Sequence, residues 1–141
     1  MNRMLSVLMA MSIVVGGGVA TVHAQAMAPG KTITVTGTLI DTKCYSMDHR
    51  NKGVDHQTPH GEMKDCAKLC ARLGIPVAIL TGGDEVVTLV TPAQDLVEHM
   101  GQTARVTGAR VYGNQVRPDK IEVKDATGKW SEIKITMPIS M

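Results

Sequence analysis

Eight consecutive residues, Thr32 to Leu39, alternate threonine with Ile33, Val35, Gly37 and Leu39, and that period of two commits this stretch to a half-buried β-strand. A helix would scatter the same side chains around its circumference. Gly37 stands where an apolar residue is due, which predicts a bend or a close backbone approach in a strongly curved strand. Two further apolar runs, Val77 to Thr81 and Glu85 to Val90, are joined by Gly82-Gly83-Asp84, a hairpin signal. The last third returns to strands: Thr103 to Val111, a Gly113-Asn114 turn, Gln115 to Lys124, and a weaker Lys129 to Thr136 after Thr127-Gly128. Pro118 cannot donate to a ladder, so it predicts an edge or a bulge in the middle of Gln115 to Lys124.

Helices are expected in two places. After the hairpin, Thr91 offers an N-cap, Pro92 a first-turn proline and Gln94 the partner of a capping box, with Leu96, Val97 and Met100 facing inward and Gly101 ending the helix. Within the long connection 41–75, opened by Asp41, residues 44–60 are polar and punctuated by Gly53 and Pro59, and read as loop. Met63, Cys66, Cys70 and Leu73 then fall on one helical stripe that Gly74 and Pro76 stop. Strand, insertion with helix, hairpin, helix and two or three strands is the element order of an OB-fold, a five-stranded Greek-key barrel. The expected fold is therefore mainly β, an OB-fold-like β-barrel of five to six strands with two short helices. An open α+β sandwich of the same elements is the alternative. With no Phe, two Tyr and one Trp, the core must be built from aliphatic residues and methionine.

The N-terminus carries a secretory pattern: Arg3, an apolar run from Met4 to Val15, and Val22-His23-Ala24 as a small-residue cleavage site. Residues 1–24 are expected to be a signal peptide, 25–31 a leader and 32–136 one OB-like domain carrying the Cys/His-containing insertion 41–75. The product would be periplasmic or secreted, with no membrane span after cleavage. A formal net charge of +2, with mixed signs along the chain and too few aromatics for stacking platforms, argues against nucleic acid as a partner. The expected partner is a metal ion or an unidentified periplasmic protein. No P-loop, Ser-His-Asp order or haem attachment motif occurs, so no nucleotide, no haem and no catalytic residue is assigned.

Chemistry concentrates in the insertion. Three cysteines leave one over after any internal disulfide. Cys66 and Cys70, four apart on a helix, have Cβ atoms about 5–6 Å apart, wider than the roughly 3.5–4.5 Å of a disulfide. Cys44 therefore either bridges to one of the pair, or all three sulfurs converge on a metal with one of His49, His56 or His60, a Cys3His set suited to zinc and, through its thiolates, to copper. The metal candidates are thus Cys44, Cys66, Cys70, His49, His56 and His60. Met47 and Met63 are read as packing residues, and Asp41, Asp48, Asp55 and Asp65 as turn and cap residues.

Gly37-Thr38-Leu39-Ile40-Asp41-Thr42-Lys43-Cys44-Tyr45, Cys66-Ala67-Lys68-Leu69-Cys70 and Gly74-Ile75-Pro76 resemble the G-x-[LIV]-x-D-x-x-C-Y, C-A-x-x-C and G-[IV]-P blocks of a group of small exported bacterial proteins. The resemblance extends over most of the chain after the signal. It implies an exported OB-like fold and a Cys/His cluster, and no activity. Taken together, the chain reads as an exported, non-catalytic binding module whose cluster binds a soft metal or is locked by a disulfide. The alternative is a periplasmic thiol-redox protein exchanging disulfides through Cys66 and Cys70, which requires an acidic thiol.

Overall fold

The computed structural model describes residues 30–136; the expected signal peptide and most of the leader lie outside them. The architecture is mainly β. Eight strands, β1 (Thr32–Asp41), β2 (His56–Thr58), β3 (Gly61–Met63), β4 (Val77–Leu80), β5 (Val86–Leu89), β6 (Thr103–Arg110), β7 (Gln115–Lys124) and β8 (Trp130–Ile133), are accompanied by α1 (Thr42–Met47), α2 (Cys66–Arg72) and a 3-10 helix, Ala93–His99. Six strands form one sheet in the order β5-β4-β1-β6-β7-β8, and β2 and β3 pair as a separate hairpin. A parallel pairing of β5 with β7, Thr88 opposite Gln115 and Leu89 opposite Val116, gives β1, β4, β5, β6 and β7 neighbours on both sides. Among the described residues no helix is long and apolar enough to cross a membrane.

Local chemistry explains two irregularities of the sheet. A Cβ on Gly37 would lie 2.1 Å from the Leu80 carbonyl oxygen, so β1 and β4 approach there as only glycine permits. In the β6–β7 ladder Thr107 faces Lys120 but Gly108 faces Pro118, which leaves Asp119 as the extra residue of a bulge beside the proline.

The main core gathers Leu39, Val77, Ile79, Val87, Leu89, Val106, Val116 and Ile121 with Ala67 and Ala71 of α2 and Ala93, Leu96, Val97 and Met100 of the 3-10 segment. A second cluster, Ile40, Tyr45, Ala78 and Leu80, lies where α1 covers the other face. Because β4 is covered on both faces, all four of its residues are buried and its sequence is continuously apolar.

Several sequence expectations are corrected. The stretch 44–60 is not wholly loop, since it holds most of α1 and all of β2. Among the described residues two helices become three helical segments, and the main sheet has six strands, within the expected five to six, with β2 and β3 added as a separate hairpin in the insertion. The segment after β5 is a 3-10 helix with Pro92 in the capping position and no side-chain cap; Thr91 Oγ1 is buried without a partner among the described residues, so the capping box does not form. Its apolar face, Leu96, Val97 and Met100, is buried as the spacing predicts.

Candidate metal centre

Two short helices bring the site together, and both are anchored to β1 and β4. Asp41 ends β1 and caps α1, its Oδ1 accepting the Cys44 backbone N–H at 2.8 Å. The α2 helix ends in a full Schellman motif: the Gly74 N–H reaches the Ala71 carbonyl and the Ile75 N–H the Cys70 carbonyl, both at 3.0 Å, with Gly74 at φ +82°. Three residues later the chain is in β4, where Val77 pairs with Asp41. Thr42 closes the base of the insertion by donating its backbone N–H and its hydroxyl to the Pro76 carbonyl, at 3.1 and 3.0 Å. Cys44, two residues beyond Thr42, is thereby held against α2.

The loop between the helices is tied down internally. Buried Asn51 donates to the carbonyls of Cys44 and Gln57, at 3.3 and 3.2 Å, and accepts the Gln57 N–H at 2.9 Å. The Ala67 N–H donates to the Val54 carbonyl at 3.0 Å, which binds the start of α2 to this loop. His56 follows, fully buried, with Nε2 3.1 Å from the Gly53 carbonyl.

The three sulfurs converge. Cys44 Sγ is 3.7 Å from Cys66 Sγ and 3.8 Å from Cys70 Sγ, and all three lie within 4.8 Å of one another. None is in a disulfide. A tetrahedral ion with Zn–S bonds of about 2.3 Å would hold its sulfurs about 3.8 Å apart. A second set, Asp41, Cys44 and His56, is gathered to the same tolerance and meets the first at Cys44. Burial, and next the charge of Asp41, push the Cys44 thiol up, and the same two causes raise Cys70. Without a cation among them, Cys44 and Cys70 are held as neutral thiols, the opposite of the acidic thiol that the redox reading requires.

Of the three candidate histidines, only His56 is gathered with a cysteine, and that cysteine is Cys44; His56 is not part of the three-sulfur set, so the expected Cys3His group is not assembled as one set. His49 is exposed and stacks on Tyr45, ring centroids 4.7 Å apart, and His60 is exposed at the turn between β2 and β3. Met63 and Leu73, expected on the buried stripe of the helix, are 44% and 73% exposed. The reason is that Met63 belongs to β3, the chain reverses through Asp65 at φ +53°, and α2 starts only at Cys66. Its buried stripe is Cys66, Ala67, Cys70 and Ala71. Met47 is 69% exposed.

Comparison with protein-family models, curated proteins and solved structures returns no match for this chain.

One residue escaped the sequence reading as a site component. The sequence marks Asp41 as a cap, and it does cap α1, but its carboxylate is also 0% exposed, with Oδ2 3.4 Å from His56 Nδ1. The available signal was its place directly after Leu39 and Ile40, at the end of a strand whose last residues are all buried. Asp48, Asp55 and Asp65 remain turn and cap residues: Asp48 accepts from Arg50, Asp55 accepts the Asp65 N–H and pairs with Lys64, and Asp65 precedes α2.

Proposed function

We propose that this chain is an exported, non-catalytic OB-like module that binds a soft metal ion, Zn(II) or Cu(I), through the thiolates of Cys44, Cys66 and Cys70, with His56 as the nearby nitrogen donor. The observation that carries the reading is the sulfur triad: separations of 3.7 and 3.8 Å match the edge of a thiolate coordination shell and are far longer than the roughly 2.05 Å of a disulfide. The Nε2–H of His56 is used on a backbone carbonyl, the arrangement that fixes the ring of a metal-bound histidine and frees its other nitrogen. Binding rather than turnover is supported by burial, since Cys66, Cys70 and His56 leave a substrate little approach. The OB-like barrel is supported by the ring of pairings that β5–β7 completes. Export to the periplasm or beyond rests on the N-terminal pattern and on the resemblance of the cysteine blocks.

The cysteine series tests the function. Cys44→Ser, Cys66→Ser and Cys70→Ser should each abolish stoichiometric Zn(II) or Cu(I) binding, and His56→Ala should weaken it more than His49→Ala or His60→Ala. A second reading, a disulfide lock, draws on the nearness of Cys44 to both partners. It requires a different pattern: two of the three changes destabilise by roughly 2–5 kcal/mol and the third is silent.

A further inference from the structure

Asp41 and His56 form a buried pair whose facing atoms are both without a hydrogen-bond partner among the described residues. Asp41 Oδ1 is taken by the Cys44 N–H, while Oδ2 faces His56 Nδ1 across 3.4 Å with no donor between them. Nε2 of His56 can only donate to the Gly53 carbonyl, so in the neutral ring Nδ1 carries a lone pair. Oδ2 and Nδ1 stand at the separation that two ligands of one tetrahedral ion keep, about 3.3 Å for bonds of about 2.0 Å, and a proton on Nδ1 is the competing occupant of that gap. Cys44 Sγ lies within 4.8 Å of both, and it is the one atom this set shares with the sulfur triad.

We infer that the centre takes two divalent ions, one on the sulfurs of Cys44, Cys66 and Cys70 and a second on Asp41 Oδ2, His56 Nδ1 and Cys44 Sγ, with the Cys44 thiolate bridging them. The inference rests on the metal-binding reading above and adds to it a second subsite and its ligands. Charge supports it. Three thiolates and one buried carboxylate are neutralised by two dications, whereas a single dication leaves two negative charges uncompensated in a site that is closed to water at Asp41 and His56. Loading displaces the thiol protons of the ligating cysteines to solvent. The mixed N/O/S donors of the second subsite suit Zn(II) better than Cu(I).

The test is the zinc stoichiometry of the whole exported chain, loaded anaerobically with Zn(II) and weighed by native mass spectrometry, beside the Asp41→Asn variant. Asparagine is as good an N-cap as aspartate, so α1 is retained while the charge is removed. Two zinc ions in the wild type and one in Asp41→Asn are expected. One ion in both overturns the second subsite, leaves a proton or nothing between Asp41 and His56, and leaves the proposed function standing. Two ions in both overturn the ligand role of Asp41, and no ion in either overturns the proposed function as well. Cadmium-113 NMR of the wild type gives an independent reading that does not depend on how the variant folds. Two resonances, one from a sulfur-rich and one from a mixed environment, are expected, and a single resonance at saturation contradicts the inference.

Discussion

Replacing Gly37 by alanine probes the contact on which the fold turns. The added Cβ would stand 2.1 Å from the Leu80 oxygen, 2.7 Å from the Leu80 carbonyl carbon and 2.8 Å from Ile79 Cγ2. Relief to an ordinary contact of about 3.5 Å requires the strands to part by roughly 1.4 Å. Two of the three obstructing atoms are backbone, so no rotamer change can supply that displacement. The parting falls beside the Thr38–Leu80 pair, where the β1–β4 ladder begins. One or two ladder hydrogen bonds at about 1 kcal/mol each, added to overpacking of about 1–3 kcal/mol, outweigh the gain of about 0.4–1 kcal/mol from a stiffer unfolded chain. The net expectation is a loss of about 2–4 kcal/mol in equilibrium urea unfolding followed by circular dichroism. Gly82→Ala is the control, because its Cβ meets nothing within 4 Å, and it should change stability by less than about 0.5 kcal/mol. If Gly37→Ala unfolds within that same margin of the wild type at unchanged m-value, the close approach of β1 and β4 is wrong, and the placement of Asp41 and α1 that follows from β1 is wrong with it.

Thr91→Val should leave stability unchanged or raise it by up to about 1 kcal/mol, since it removes a buried hydroxyl that bonds to nothing; a loss above 1 kcal/mol would mean that the hydroxyl is paired. In metal-free protein at pH 8, Cys44 and Cys70 should alkylate with iodoacetamide more slowly than free cysteine, because burial and Asp41 raise both thiols; faster modification, read by peptide mapping, would contradict this and favour the redox reading. Zinc affinity should rise with pH across the neutral range. The raised thiols of Cys44 and Cys70 are protonated there and each must give up its proton on binding, so competition titrations should show at least roughly a hundredfold gain per pH unit from these two, and a flat profile would exclude thiolate ligation.

The strands were legible because their burial repeats every two residues. Alternation marked β1, Gly82-Gly83-Asp84 marked the β4–β5 hairpin, Gln115 to Lys124 is β7 to the residue, and Pro118 marked a bulge. Gly74 marked the end of α2 because its positive φ is what a Schellman stop requires. The insertion was less legible for an equally physical reason. With six residues, α1 is too short to show a period, and its one signal is the Asp41 cap. The β2–β3 hairpin is only three residues on each side, and its register places Met63 opposite His56, which removed Met63 from a stripe that spacing alone had drawn. The convergence of Cys44 with Cys66 and Cys70 was foreseen as one of two outcomes of an odd cysteine count. The choice of His56 over His49 and His60 was not, because all three lie in polar sequence and only the fold of the loop around Asn51 buries one of them.

The most direct test of the central claim is a paired assay on anaerobically purified protein: metal content per chain, and free thiols counted in denaturant before and after chelation. Metal at one or more ions per chain, with three thiols recovered once it is removed, is the predicted result. Metal-free protein with a single free thiol would assign the cysteines to a disulfide, and metal-free protein that shows three thiols and takes up no zinc or copper would contradict the account.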